Sequence, residues 1–141
     1  MAILTDRDLD AVRKEFVKLV HPVMLTVFSQ ELGSESSKQT EQLVRDVAGV
    51  SEKLTLNILN LVLDREKAEA YGVDRVPAIV VEGARDYGIR FFGLPAGYEF
   101  TNLIDAIVVA STGEPALAQE TKDTLAGLGK PVHIKVFTTP T

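Results

Sequence analysis

The sequence contains no cysteine, and this absence excludes several kinds of chemistry at once. A chain without thiols forms no structural disulfide, holds no thiolate metal site and carries no thiol nucleophile of its own. Histidine is scarce too, since the chain has 2, His21 and His133, which lie far apart without an acidic or histidine partner at ligand spacing. We therefore expect no metal site and no cofactor in this chain.

Basic charge and long hydrophobic runs are also in short supply. The 141 residues include 15 basic and 20 acidic side chains, for a net charge of -5, so the chain lacks the positive surface that a nucleic-acid backbone requires. The longest apolar stretch, 56–63, contains Asn57 and Asn60 and is far shorter than the ~20 residues of a membrane helix. With no recognisable signal peptide, these features predict a cytoplasmic protein that binds neither nucleic acid nor membrane.

Helical and extended patterns alternate along the chain, which is typical of an α/β fold. The length, with 45% apolar residues, suits one globular domain. The predicted order is helix, strand, helix, strand, helix, a two-stranded hairpin and a helix. The first helix is expected over residues 6–20, capped by Thr5 or Asp6, and Gly72 and Gly113 are expected to end two later helices. A further helix follows, and the chain closes with an extended segment.

That closing segment repeats an earlier one. Residues 131–138, Pro-Val-His-Ile-Lys-Val-Phe-Thr, match residues 22–29, Pro-Val-Met-Leu-Thr-Val-Phe-Ser, at alternate apolar sites and with four identities. The offset between the two copies is the size of a small domain. The repeat predicts one complete unit over 1–113, a linker helix over 114–130 and, over 131–141, the first strand of a second, truncated unit.

The apolar side chains of this closing segment have no sheet of their own. Val132, Ile134 and Val136 alternate as they would on a strand, and an unpaired apolar strand tends to find a partner. We therefore expect residues 131–141 to be disordered, to lie against a neighbouring molecule, or to be exchanged in a homodimer.

Two local features stand out as candidate sites. A serine-rich segment, 34–37, precedes the second predicted helix, where backbone amides favour negative charge. Ser36 with Gln39 three residues later fits a capping box, so the local pattern favours capping over ligand binding. Pro77 begins a strand-like run, where it either opens an edge strand or follows a cis peptide bond.

One longer block resembles a known family. Residues 86–100, DYGIRFFGLPAGYEF, resemble the segment that closes the first unit of glutaredoxin-like protein disulfide oxidoreductases, which carry two thioredoxin-fold units in tandem. Residues 130–141 resemble the strand that opens their second unit, directly before its Cys-Pro-Tyr-Cys motif. A more distant resemblance is to the N-terminal domain of the alkyl hydroperoxide reductase flavoprotein, whose first unit lacks cysteines. These resemblances imply a thioredoxin-like fold, with a mixed central sheet flanked by helices and an extra N-terminal helix.

The resemblance also assigns roles to individual residues. It places the Cys-x-x-Cys positions of the first unit on Ser34 and Ser37, and the family's cis-proline on Pro77, with Val76 offering its backbone to an extended peptide. Disulfide exchange needs a thiolate that attacks sulfur and leaves again as sulfur, which a serine hydroxyl cannot replace. The resemblance therefore implies a chain with no catalytic residue and with a substrate groove at Val76 and Pro77.

Three functions remain open on the sequence. The leading hypothesis is a redox-silent thioredoxin-fold unit of a protein disulfide oxidoreductase, which serves thiol-disulfide exchange and redox homeostasis by scaffolding or substrate positioning. Its partners would be protein or peptide substrates and a second thioredoxin-like unit. One alternative is a free-standing peptide-binding or dimerisation domain that uses the groove near Pro77. Another is part of a hydroperoxide reductase system, which a downstream flavin-binding region would reveal.

Overall fold

A computed structural model describes residues 3–30, 32 and 34–139 of the chain. Helices and strands follow one another in the order that the sequence predicts. They are α1 (Asp6–Phe16), β1 (Val23–Ser29), α2 (Glu35–Ala48), β2 (Leu54–Asn60), α3 (Arg65–Tyr71), β3 (Ala78–Glu82), β4 (Ile89–Phe92), α4 (Tyr98–Thr112) and α5 (Gln119–Ala126). No helix within the described part of the chain is long and apolar enough to cross a membrane.

The strands form one mixed sheet in the order β2-β1-β3-β4. β1 pairs in parallel with β2, with Val23 opposite Leu54, and antiparallel with β3, with Phe28 opposite Ala78. β4 completes the predicted hairpin by pairing antiparallel with β3. The expected α/β class, with a mixed sheet flanked by helices and an extra N-terminal helix, is confirmed.

Alternating side chains of β1 supply two separate cores. Val23, Leu25 and Val27 point to the larger core, which is covered by α1, α2 and α4. Phe28 points to the opposite face, where a smaller core forms under α3. Each fully buried Val, Leu or Phe contributes about 1.5–3 kcal/mol relative to exposure, so this one strand stabilises both faces of the sheet.

The first helix begins as expected but ends early. Thr5 is its cap, because the Thr5 Oγ1 accepts the Asp8 amide at 3.2 Å and the Asp8 carboxylate accepts the Thr5 amide at 2.8 Å. The helix stops at Phe16 instead of residue 20. Tight bonds from Lys18 and Leu19 back to the carbonyls three residues earlier turn the chain, which leaves Leu19 buried in the larger core.

Ser111 fastens α4 to the segment that leads into β1. Its buried Oγ accepts the amides of Val20 at 2.8 Å and of His21 at 3.1 Å and donates to the His21 carbonyl at 2.7 Å. Three backbone groups that no strand or helix would satisfy are therefore paired through one hydroxyl. No local sequence pattern announces this contact, because its partners are 90 or more positions apart.

The C-terminal segment contains a helix and then an extended chain. α5 forms within the expected linker helix. Residues 131–139 form no helix or strand, and Val132, Ile134, Val136 and Phe137 are all more than 60% exposed. A lone strand has no partner for its backbone groups, so the strand pattern alone does not produce a strand. Residues 140–141 lie outside the described residues, and the division into 1–113, 114–130 and 131–141 stays a prediction.

The turn between β3 and β4 comes unusually close to α4. A Cβ placed on Gly83 would lie 1.9 Å from the carbonyl oxygen of Ala110, which is backbone and has no rotamer by which to move away. Glycine at this position therefore lets the turn and the helix pack in direct contact.

We expect Gly83→Ala to destabilise the protein by about 1–3 kcal/mol, because α4 or the turn has to shift to accept the methyl group. Urea denaturation followed by circular dichroism measures the change. Gly129→Ala is the matched control, since a Cβ at Gly129 meets nothing within 4 Å. Equal stabilities for the two variants would contradict the close packing.

Candidate functional site

The pairing of β1 with β3 brings the two candidate segments to one end of the sheet. Phe28 lies opposite Ala78, and the same register continued by one residue places Pro77 beside Ser29, the last residue of β1. The chain leaves β1 at this end and enters α2 after Ser34. The predicted site residues Ser34 and Pro77 therefore lie at the same end of the sheet, although 43 positions separate them in the sequence (77 − 34).

Ser34 is the cap of α2, which corrects the expectation that Ser36 pairs with Gln39 as a capping box. The Ser34 backbone is extended and its Oγ accepts the Ser37 amide at 3.1 Å. Ser36 is already inside the first turn, where its carbonyl accepts the Thr40 hydroxyl at 2.7 Å. A cap has to precede the helix with non-helical backbone, so Ser36 is one turn position too late.

Ser37 lies on the buried side of α2. It is 1% exposed, and its Oγ has no hydrogen-bond partner among the described residues. Leaving a buried hydroxyl unpaired costs about 1–3 kcal/mol, so Ser37 is a poor choice for stability alone. Ser34 and Ser37 thus place one hydroxyl at the helix start and one beneath it, and neither hydroxyl supports disulfide exchange.

Val76 and Pro77 lie at the same end of the sheet, just before β3. Their peptide bond is cis, Pro77 is buried, and its carbonyl accepts the Gly93 amide at 2.9 Å. Val76 is half-buried, and the hydrogen bonds among the described residues do not include its N–H or C=O. The backbone of Val76 is therefore open to pairing with an extended chain.

An aromatic and a basic side chain flank Val76. Phe92 lies beside Ala78 across the β3–β4 pair and is 45% exposed. The Arg75 guanidinium lies 5.4 Å from the centre of the Phe92 ring, and Asp74 pairs with Arg75 at 2.9 Å. The surface next to Val76 thus offers the apolar ring of Phe92. The charge of Arg75 beside that ring is balanced by Asp74.

A polar cluster at the other end of β3 and β4 was missed by sequence reasoning. The Arg90 guanidinium holds both oxygens of Asp86, at 2.8 and 2.6 Å, and its Nε donates to the Tyr71 carbonyl at 3.1 Å. The guanidinium also covers the Tyr71 ring at 5.4 Å. This arrangement ties β4 to the end of α3, and its only sequence signal is the Asp86-x-Gly88-x-Arg90 spacing within the family-like block.

Charge in this cluster shifts the ionisation of its members. Arg90 holds the pKa of Asp86 at about 2, below the ordinary 3.8, and the Gly88 amide adds to the effect. The neighbouring Glu82 carboxylate raises the pKa of Tyr71. Glu82 ends β3 at the end away from Pro77, and the cluster as a whole fixes β4 to α3.

Histidines and acidic residues do not gather into a metal site in the described part of the chain. His21 and His133 are both exposed. No group of three or more His, Asp or Glu side chains comes together there in a way that would hold a metal ion.

Comparisons with curated proteins point to oxidoreductases. No family model matches the sequence. The alkyl hydroperoxide reductase AhpF of Staphylococcus epidermidis is 29% identical over 111 residues, which are 78% of this chain and 20% of that protein. An NADH dehydrogenase of Bacillus subtilis is 26% identical over 137 residues, which are 96% of this chain and 24% of that protein. The chain therefore spans only about a fifth to a quarter of these relatives.

Solved structures define the class of fold. The NTD_N/C domain of alkyl hydroperoxide reductase AhpF from Enterococcus faecalis superposes with a TM-score of 0.79 at 23% identity, covering 90% of this chain and 62% of that one. A protein disulfide oxidoreductase from Aeropyrum pernix gives 0.76 at 27% identity, covering 88% and 55%. The fold is thioredoxin-like.

The particular relatives are those that the sequence resembles. The block 86–100 resembles protein disulfide oxidoreductases and, more distantly, the alkyl hydroperoxide reductase flavoprotein, and both kinds of protein are among the structural neighbours. The resemblance is thus confirmed, and the chain is similar to thioredoxin-fold oxidoreductases. Both structural neighbours extend well beyond the part that this chain matches.

We expect the Asp86–Arg90 pair to make stability depend on pH in a defined window. The folded pKa of Asp86 is about 2 and its ordinary value is 3.8. The contribution is therefore fully present above about pH 5 and is lost as pH falls from about 4 to 2. Asp86→Asn should cost about 1 kcal/mol at neutral pH, after allowance for solvent screening, and almost nothing near pH 2.

Urea denaturation of the wild type and Asp86→Asn across that pH range measures the difference. The exposed Asp74–Arg75 pair provides the control, because solvent screens it and Asp74→Asn should leave stability unchanged within the error of the measurement at any pH. A difference between wild type and Asp86→Asn that stays constant down to the lowest pH would contradict this account.

Proposed function

We propose that this chain is a redox-silent thioredoxin-fold unit that binds an extended segment of a protein at the Val76–Pro77 edge. The observation that carries the proposal is the pairing, at one end of the sheet, of an α2 start occupied by Ser34 and Ser37 with an open Val76 backbone. The β3 side of this end offers the unpaired backbone of Val76, whereas the α2 side carries hydroxyls and no thiol. Such a unit recognises a substrate without exchanging disulfides with it.

Binding at this edge would use the backbone first. An extended peptide that pairs with Val76 gains main-chain hydrogen bonds whatever its sequence, and adjacent side chains supply the selectivity. Phe92 offers an exposed ring for an apolar side chain of the peptide, since Arg75 covers only part of it. We therefore infer a preference for extended, apolar segments of unfolded or loosely folded proteins.

The role of such a unit in a longer protein is to position substrate. A dithiol on a second thioredoxin-like unit would perform the exchange, and holding the substrate nearby would raise its effective concentration. Residues 131–141 would form the first strand of that second unit, because they repeat β1. The length of the similar structures beyond the matched part supports this arrangement. A cytoplasmic location and a role in redox homeostasis belong to the same proposal.

A second candidate is a unit of a hydroperoxide reductase system. The 29% identity with alkyl hydroperoxide reductase AhpF over 78% of this chain favours it. The groove would then hold a segment of a peroxide-reducing partner or of the flavoprotein itself. A flavin-binding region encoded after Thr141 would select this candidate over the disulfide oxidoreductase. A free-standing peptide-binding domain would use the same backbone at Val76, with neither a flavin-binding region nor a second thioredoxin-like unit.

We expect the chain to bind reduced, carboxymethylated lactalbumin, which is permanently unfolded and has no free thiol. Phe92→Ala should weaken that binding about tenfold, because a truncated aromatic anchor typically costs more than about 1 kcal/mol. Isothermal titration calorimetry measures both affinities. Phe137→Ala is the control, since Phe137 is 91% exposed in the C-terminal segment.

Two results would count against this groove. One is the absence of heat from the wild type at any usable concentration. The other is an equal loss of affinity in Phe92→Ala and Phe137→Ala, which would place the binding surface elsewhere.

A further inference from the structure

The outer edge of the sheet is a strand without the usual protection against pairing. Among the strands that the structure describes, β2 pairs only with β1. Residues 54–63, Leu-Thr-Leu-Asn-Ile-Leu-Asn-Leu-Val-Leu, contain no charge and no proline. Soluble proteins normally guard such edges with lysine, proline or a bulge. The adjacent Lys53 does not serve this purpose, because its ammonium donates to the Leu19 carbonyl at 2.8 Å.

The backbone of β2 alternates between its partner and solvent. The Val23 amide donates to the Lys53 carbonyl, and the Leu61 amide donates to the Ser29 carbonyl, so residues 53 and 61 face β1. Backbone groups alternate in direction along a strand. The N–H and C=O groups of the odd-numbered residues of β2 therefore point to β1, and those of the even-numbered residues point outward from the sheet.

The outward groups at both ends of β2 are already occupied. The Leu54 amide donates to the Ser51 carbonyl at 3.2 Å, and the Asn60 amide donates to the Asp64 carboxylate at 2.9 Å. The Asn60 carbonyl accepts the Asp64 amide at 2.9 Å. These contacts limit any further pairing to the middle of the strand.

Leu56 and Ile58 are the outward residues that remain. Each presents an N–H and a C=O at the free edge, and both side chains are half-buried against the larger core. Val62 and Leu63, in the turn that follows the strand, are 66% and 82% exposed. The edge thus combines unpaired backbone with uncovered aliphatic surface, two features that an added strand would satisfy together.

We propose that β2 pairs antiparallel with β2 of a second copy of this chain, about a two-fold axis at Asn57. In this register Leu56 lies opposite the partner's Ile58, so the outward backbone groups of both copies meet as hydrogen-bonded pairs. Asn57 lies opposite the partner's Asn57. A two-fold interface has to be self-complementary. The strand meets that condition about Asn57, because outward backbone groups meet outward backbone groups and aliphatic side chains meet aliphatic side chains.

The interface would join two four-stranded sheets into one of eight strands. It lies at the β2 edge, with β1 between it and the strand that begins after Pro77, so the groove stays accessible. It also differs from an exchange of residues 131–141, because those residues take no part in it. The inference therefore stands or falls independently of the proposed function.

Charges placed at Asn57 test the two-fold axis directly. Asn57 is exposed, so Asn57→Lys and Asn57→Glu should fold as the wild type does. Each variant sets like charges opposite each other and should weaken the dimer about tenfold or more. Mixed in equal amounts, the two variants should form a heterodimer, because Lys then faces Glu.

Sedimentation equilibrium of the full chain and of each variant measures these affinities. Thr101→Lys, at an exposed position on α4, is the control for added charge and should leave the dimer unchanged. A wild type that stays monomeric at high concentration would overturn the proposal. A dimer unaffected by Asn57→Lys, or a mixture that fails to restore it, would also overturn the proposal, since dimerisation would then use another surface.

Discussion

The pairing of β1 with a strand on either side is the constraint on which the rest of the structure depends. Its parallel partner β2 and its antiparallel partner β3 fix the order of the sheet. Its alternate side chains enter the core under three helices and the core under α3. β1 ends at Ser29, beside the start of β3, and the chain continues from there into α2. A single strand thereby brings the segments of Ser34 and Pro77 to the same end of the sheet. The two segments need no direct contact with each other for this.

The two proposed recognition surfaces consist mainly of backbone groups. Within the described residues, neither thiols nor a cluster of metal ligands supply reactive groups. Instead, the described main chain without internal partners includes Val76 beside the cis-proline and, by strand alternation, Leu56 and Ile58 on the free edge of β2. Backbone pairing tolerates many sequences, which is what the proposed binding of extended segments requires. The Asp86–Arg90 ion pair, together with the hydrogen bond from Arg90 to the Tyr71 carbonyl, keeps β4 fixed to α3.

Local patterns predicted the features that local physics controls. The alternation of helical and extended patterns predicted the order of the elements, and Gly72 and Gly113 end their helices with left-handed backbone, as expected, since only glycine adopts it easily. The cap of α2 was assigned to Ser36 and lies at Ser34, because the position of a cap depends on where tertiary packing makes the chain turn. Ser111 was missed, since a hydroxyl that bonds backbone 90 positions away leaves no periodic signal. Residues 131–139 carry a strand pattern and form no strand, because a strand also needs a neighbour.

The central claim of the proposed function is that Ser34 and Ser37 occupy the two positions of a thioredoxin-type Cys-x-x-Cys pair. Introducing thiols with Ser34→Cys and Ser37→Cys tests this most directly, by titration with reduced and oxidised glutathione. We predict that the double variant forms an internal disulfide as glutathione disulfide is reduced to two glutathione molecules, whereas the wild type stays inert. A double variant that forms only mixed disulfides, with no internal bond at any glutathione ratio, would contradict the claim.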